Sequence, residues 1–406
     1  MPKQTTDLLS DGVFPILFDA PGLTWKIAKG VTVGASAGGG VIGSGEDDST
    51  LINKGLIVNT ALGGQGVIFS SNNNGSVVNK GEIVGGPLGA GVQLSGDNMQ
   101  LANVAGAKIL GGTIGVAFGS GVLDQGGNVE NHGRIAGTDA DSIGIGVAGF
   151  PDFVLKNYGE VDGQSHGVLL TINGSATTPG PKIVNHGLIA GDEAVQAAAT
   201  DADGYRLKVV NKVDGTILGE AAAVFALSNE SLRVVVKNDG LIVGDIETGG
   251  TESNDKVVNT GKIKGHVKLG DGADLVDNTG GRITKKIFGE LGDDTFILGD
   301  RKETIVFDTN VDQGQNVDTV QNFETGADQF FLDQAVFAAL VGLGDLAKAN
   351  FRRDTTAQDA DDYIVYDKAT GVLIYDFNGN LNGGATQFAQ LDPGTGLKHS
   401  DFTVFA

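Results

Sequence analysis

The sequence predicts an all-β chain: a parallel β-helix of about ten coils that continues into a short β-roll and a β-rich C-terminal cap domain. Three observations predict it. First, the phrase apolar, apolar, Asn, any residue, Gly, any residue, Ile or Val recurs, as in Leu51-Ile52-Asn53-Lys54-Gly55-Leu56-Ile57 and Val77-Val78-Asn79-Lys80-Gly81-Glu82-Ile83. Looser versions centre on Asn103, Asn131, Asn157, Asn185, Asn211, Asn238, Asn259 and Asn278, at an average spacing of about 25 residues. One such repeat cannot bury its own apolar face and must stack on its neighbours. Second, each repeat reads as three short strands, one after the Asn-x-Gly turn, one midway and one leading into the next Asn. The midway strand is Gly66-Val67-Ile68-Phe69, Gly91-Val92-Gln93-Leu94, Gly115-Val116-Ala117-Phe118, Gly146-Val147, Gly167-Val168-Leu169-Leu170 and Ala223-Val224-Phe225-Ala226. Third, helical spacing fits nowhere in this stretch, and Gly and Asn supply the turns. Stacked coils lie about 4.8 Å apart, so the repeated Asn is expected to form an amide ladder along the axis.

Composition bounds the function. The chain has 406 residues, 66 of them Gly, and no Cys, which excludes disulfides and thiolate metal sites. Its formal net charge of −22 makes nucleic acid an unfavourable partner and divalent cations favourable ones. Met1 to Ser10 is polar, and Val13-Phe14-Pro15-Ile16-Leu17-Phe18 is short and Pro-broken, so the N-terminus does not read as a secretory signal. No apolar run is long enough to span a membrane.

Residues 1–48 lack the phrase and hold the only Trp, Trp25, which suggests an N-terminal cap over the open end of the first coil. Residues 49–265 form the β-helix. The position after each Asn is a column in which His132, Tyr158 and His186 should lie one above another near Lys54, Lys80 and Lys212. This basic and aromatic stripe fits either contact with an acidic polysaccharide or a solvated ladder of turns.

Residues 266–310 change character. The period shortens, and acidic turns appear as Leu269-Gly270-Asp271-Gly272-Ala273-Asp274-Leu275-Val276 and Gly289-Glu290-Leu291-Gly292-Asp293-Asp294-Thr295-Phe296. These are imperfect copies of the calcium-binding nonapeptide Gly-Gly-x-Gly-x-Asp-x-apolar. Glycines let carbonyls turn toward a cation, and Asp supplies charge. A hard cation wants six or more oxygens, which two stacked turns can offer and one cannot. Asp274 and Asp294 lie one short coil apart, so their turns should stack. Leu269 and Glu290 replace glycines, and a third copy ending at Glu303 has Arg301 where Gly is wanted. The candidate metal residues are therefore Gly270, Asp271, Gly272, Asp274, Gly289, Gly292, Asp293 and Asp294.

Residues 311–406 are non-repetitive. They carry Val317-Asp318-Thr319-Val320-Gln321-Asn322-Phe323, Asp328-Gln329-Phe330-Phe331-Leu332-Asp333 and Val336-Phe337-Ala338-Ala339-Leu340. Asp361-Asp362-Tyr363-Ile364-Val365-Tyr366 then leads through a hairpin at Lys368-Ala369-Thr370-Gly371 to Tyr375-Asp376, and the chain closes with Asp401-Phe402-Thr403-Val404-Phe405-Ala406. Together with the acidic turns, these phrases resemble the C-terminal region of repeat-in-toxin (RTX) proteins exported by type I secretion in Gram-negative bacteria. The resemblance covers residues 266–406, about a third of the chain. It implies calcium as cofactor, a type I exporter as partner, a C-terminal secretion domain over 311–406 and a secreted, extracellular or cell-surface location. Asp376-Phe377-Asn378-Gly379-Asn380 resembles the family's Asp-x-Asp-Gly-Asn loop. Asp376, Asn378 and Asn380 are thus candidates for a second calcium, with an Asn-Gly hairpin turn as the alternative. The repeats before residue 266 are similar, at the level of the phrase, to β-helical adhesin passengers.

No zinc-protease His-Glu-x-x-His, nucleophile elbow, P-loop or dinucleotide fingerprint occurs. Acidic pairs stand at Asp139 with Asp141, Asp192 with Glu193, and Asp201 with Asp203, all between strands. The expected function is a secreted calcium-binding solenoid, an adhesive, matrix or surface-layer component. The competing expectation is a polysaccharide lyase or C5-epimerase acting on an acidic glycan.

Overall fold

In the computed structural model, which describes residues 1–13, 15–119, 126–172, 180–199, 205–227, 232–249, 253–311 and 316–406, the chain forms a parallel β-solenoid of about 11 turns. Strands make up 52% of it and helix 2%, as the period-two patterning requires. No helix among the described residues is long and apolar enough to cross a membrane. The chain divides into two compact units, residues 1–232 with 240–244, and residues 233–239 with 245–406.

In the first unit each regular coil contributes the three strands read from sequence, for example Thr50–Asn53, Leu56–Asn59 and Val67–Ser70. In this coil side chains alternate between core and surface. Leu51, Ile57, Val67 and Phe69 are fully buried while their neighbours face outward. The strands before each Asn pair in parallel with Asn53, Asn79, Asn103, Asn131, Asn157, Asn185 and Asn211 in one register. Later coils fuse two strands into one long bent strand, as at Leu188–Ala199 and Thr216–Ala226.

Two expectations need correction. Residues 1–48 are not a separate cap but coils of the same ladder. Lys3–Gln4, Leu8–Val13 and Ile16–Phe18 pair in parallel with Thr24–Ile27, Thr32–Ala37 and Val41–Ser44, and these pair with the next coil. The phrase is absent there because Ile27 stands in register with Asn53, replacing an amide with an apolar side chain. Trp25 is in register with Leu51, a core position. The midway strand at the fourth such station is set by Gly144-Ile145, not Gly146-Val147, since Val116 pairs with Ile145. Sterics explain the choice. A Cβ on Gly115 would lie 2.7 Å from the Gly144 carbonyl oxygen, and one on Gly144 2.6 Å from that of Gly167, whereas Gly146 would meet nothing closer than 3.7 Å. Backbones approach so closely there that only glycine fits.

The second unit starts with short coils. Lys256–Asn259, Leu275–Asp277, Thr295–Ile297 and Asp318–Gln321 form one parallel stack. Val267–Lys268, Ile287–Phe288, Thr304–Phe307, Gln329–Asp333 and Phe402–Phe405 form another. Antiparallel pairing takes over at the end. Ile364–Asp367, Val372–Asp376 and Ala385–Leu391 form a meander through the expected turn at 368–371. Phe330, Phe337, Phe388 and Phe402 fill the core beneath it, with ring centroids 4.5 to 5.7 Å from their neighbours. The final strand is not an edge. It lies between Gln329–Asp333 and the antiparallel Gly344–Asp345.

Candidate functional site

The Asn column satisfies the turns rather than offering a ligand surface. Each Asn Nδ2 donates to the next Asn Oδ1, at 2.9, 2.9, 2.8, 2.8, 2.8 and 2.9 Å from Asn53 to Asn211. The Oδ1 in turn accepts the N–H of the glycine two residues on, as at Gly55 and Gly133. Within the second unit Asn238, Asn259 and Asn278 form a ladder of the same kind, which ends on a carboxylate, Asn278 Nδ2 donating to Glu303 Oε1 at 2.7 Å.

Beside that ladder runs a second column, built of acids. Asp274 and Asp294 are stacked as their spacing suggested, and Asp255 and Asp318 extend the series. Val234 N donates to Asp255 Oδ1 (2.7 Å), Asp255 N to Asp274 Oδ1 (2.6 Å), Asp274 N to Asp294 Oδ1 (2.9 Å) and Asp294 N to Asp318 Oδ1 (3.1 Å). Exposure of the four is 5% or less. The outer oxygens Oδ2 of Asp255, Asp274 and Asp294 are buried with no hydrogen-bond partner. A buried carboxylate left so is costly, and the nearest acids add repulsion. Burial above all pushes Asp255 and Asp294 up to about 7 and Asp274 up to about 9, the last with a contribution from the neighbouring Asp294 and Asp255 charges. Asp318 is raised well above the usual carboxylate range by burial and by Asp294.

The turns leading into the column have the backbone that close carbonyl approach needs. Gly270, Gly272 and Gly292 have φ of 88°, 144° and 126°, and Glu290 takes 72° where the repeat wants glycine. Asp271 and Leu291 are bridged in parallel, so the two turns stack. Gly289 lies against Asp294, where a Cβ would strike the carboxylate. Asp293 faces the other way, its Oδ1 accepting the N–H groups of Asn316 and Val317. Among the described residues no three His, Asp or Glu side chains converge as a metal cage. A cation at this column would draw most of its oxygens from turn carbonyls and water.

Sequence reasoning missed Asp255 and gave Asp318 no role. The signal was present as Asp-x-apolar at Asp255-Lys256-Val257 and Asp318-Thr319-Val320, matching 274–276 and 294–296. Two residues before them stand Ser253 and Asn316, where Gly272 and Gly292 precede the other two. Glu303 belongs to a different column, in which Asp328 Oδ1 accepts its N–H at 2.8 Å. In the tail loop, Asp376 is buried and its Oδ1 accepts Asn378 N at 3.4 Å, and the buried Asn378 Oδ1 has no partner. Asn380 is drawn elsewhere, its Nδ2 donating to the Gln358 carbonyl.

His132, Tyr158 and His186 do stack, with ring centroids 4.5 and 4.8 Å apart and planes within 16°. Both faces of Tyr158 and one face of each His are spent on one another, and His132 and His186 each meet an acid, Glu130 and Asp214, at 2.9 Å. The stripe therefore offers ring edges, not a platform for a sugar face. Asp141 and Asp192 line one groove of about 400 Å³ with Asp162, Gln164, Ser165 and Glu220. Asp139 instead accepts the Leu88 N–H, and Asp201 and Asp203 lie outside the described residues. At the groove's rim Ser165 Oγ is 2.7 Å from His166 Nδ1, and His166 Nε2 is 3.3 Å from Glu193. That order suits a nucleophile, but the backbone N–H groups beside it are not free to serve as oxyanion donors. The N–H groups of Ser165, His166, Asp192 and Glu193 all donate to carbonyls of neighbouring coils, and the lining acids oppose a developing negative charge.

No protein-family model matches the sequence, and comparisons with curated proteins and with solved structures find no similar protein.

Proposed function

We propose that this chain is a secreted calcium-binding β-solenoid whose rod serves as an extracellular adhesive, matrix or surface-layer component. One observation carries the reading: a stacked column of buried aspartates with orphaned oxygens, in which Asp274 and Asp294 follow turns with glycines at positive φ. Such a column wants a positive charge, and a hard divalent cation seated among carbonyls supplies one. Asp274 and Asp294 would hold it, with the turn carbonyls around Gly270–Gly272 and Gly289–Gly292. The enzyme alternative gains little from the groove at Ser165, where the N–H groups of Ser165, His166, Asp192 and Glu193 are already bonded to carbonyls and the lining is acidic.

Calcium is expected to raise the melting temperature. Binding to the native state alone stabilises by about 2.7 kcal/mol per site at a hundredfold excess over Kd, a rise on the order of 5–10 °C for a unit of this size. Asp274→Ala or Asp294→Ala should remove most of that rise. Superimposable melts in calcium and in chelator would sink the assignment.

Export supplies a second test. The resemblance to type I substrates implies export information in the C-terminal domain, whose last strand is packed between two others once folded. In a host carrying a matched type I exporter, a chain ending after Leu340 should stay in the cytoplasm, and one lacking residues 1–48 should still leave. Secretion of the C-terminal truncation would remove the export half of the proposal.

A further inference from the structure

Four cations share one outward face of three neighbouring coils in the first unit. In the strands Val154–Asn157, Lys182–Asn185 and Tyr205–Asn211, the inward residues Leu155, Ile183, Leu207 and Val209 are fully buried. The alternate residues Lys156, Lys182, Arg206 and Lys208 therefore point out. Lys182 and Lys208 are direct cross-strand partners, and Lys182 pairs on its other side with Val154, two residues before Lys156. Like charges placed directly opposite destabilise a sheet.

Like-charged partners also occur at Lys3 with Lys26, Lys108 with Arg134 and Lys262 with Arg282, but several cations elsewhere meet an acid. Arg134 stands in register with Glu160 and bonds Asp162 at 2.8 Å, and Lys268 bonds Glu247 at 2.7 Å. None of the four cations has an ion-pair partner among the described residues. Glu130 is in register with Lys156, yet its carboxylate is 2.9 Å from His132. An unneutralised basic face on a chain of net charge −22 calls for an anion from outside.

We infer that this face binds a linear acidic polysaccharide, a polyuronate carrying one carboxylate per sugar, laid across the strands along the solenoid axis. Neighbouring strands are about 4.8 Å apart, a step of the same order as one sugar of an extended chain, so successive coils meet successive carboxylates. Duplex DNA fits poorly. It packs one charge into about every 1.7 Å, and the surrounding acidity repels so dense a polyanion. The inference names a ligand class for the adhesive rod proposed above and rests on that reading, but it needs no calcium and involves only the first unit.

The test is binding of a fluorescent oligogalacturonate of about ten sugars in chelator at 50 and 200 mM NaCl, with neutral dextran and duplex DNA as competitors. The parent protein should bind the oligouronate, more weakly at the higher salt. Each exposed cation removed should cost about two- to fivefold, so Lys182→Gln with Lys208→Gln weakens binding on the order of tenfold. The melting temperature of that double variant should equal or exceed the parent's, because a like-charge pair is gone. Lys182→Arg with Lys208→Arg keeps the charges and should bind within about twofold of the parent. No binding by the parent, equal binding by the Gln variant, or tighter binding of DNA than of oligouronate overturns the inference. Calcium-dependent melting is read separately, so its presence or absence tells which proposal has failed.

Discussion

Asn131→Ala is expected to unfold the middle of the first unit under conditions where the parent is stable. Asn131 sits inside the ladder and makes five side-chain hydrogen bonds. Its Nδ2 donates to the Gly133 carbonyl (3.2 Å), Asn157 Oδ1 (2.8 Å) and the Glu160 carbonyl (3.0 Å). Its Oδ1 accepts from Gly133 N (3.2 Å) and Asn103 Nδ2 (2.8 Å). Alanine leaves their partners buried with no water to replace the lost amide. Each orphaned buried group costs about 1–3 kcal/mol, and with partial relaxation the total should be about 3–5 kcal/mol. Because each coil contacts mainly its neighbours, the loss should localise. Hydrogen exchange should speed up at Gly133 and in the coils on either side well before it does at Leu56 or Val67. Asn53→Ala should cost less, since Ile27 stands in register above it and supplies no amide. A loss below about 1 kcal/mol at Asn131 would mean that the ladder does not hold the coils together.

How much of this was legible in the sequence follows from which interactions repeat. The Asn ladder was readable because one residue type recurs where only a stacked amide satisfies the turn. The first coils were not, because Ile27 and Trp25 do with apolar packing what Asn53 and Leu51 do one coil later, and a different residue leaves no phrase. Gly146 misled because Gly144 and Gly146 both precede an apolar residue, and backbone approach from the next coil, invisible in one dimension, selects Gly144. The acid column was half legible. Gly272 and Gly292, two residues ahead, announced Asp274 and Asp294, while Asp255 and Asp318 follow Ser253 and Asn316 at that position and are seen only in register. The basic face was hidden for the opposite reason. Lys156, Lys182 and Lys208 lie 26 residues apart in sequence, and only stacking makes them neighbours.

In chelator, the second unit should lose stability as pH rises from about 4 to about 9, the reverse of an ordinary protein held by ion-paired carboxylates. The direction follows from the raised pKa values. An aspartate whose folded pKa lies above its unfolded one binds the proton more tightly when folded. Its contribution is complete below the unfolded value of about 3.9 and disappears as pH climbs through the folded value, about 7 for Asp255 and Asp294 and about 9 for Asp274. Each tenfold gain in proton affinity on folding is worth about 1.4 kcal/mol. Asp274 alone should thus account for several kcal/mol, and the four coupled acids for a fall in melting temperature on the order of 10 °C or more. Asp274→Asn isolates the cause. The amide oxygen can still accept the Asp255 N–H, as Asp274 Oδ1 does at 2.6 Å, but it carries no charge to bury. At pH 8 in chelator the variant should melt above the parent, and its slope against pH should be shallower. Calcium should flatten the parent's slope by taking the proton's place, and should do less for the variant. A parent that gains stability from pH 5 to pH 8 in chelator, or an Asp274→Asn variant that melts lower at pH 8, would show that these carboxylates are ionised and satisfied without a cation.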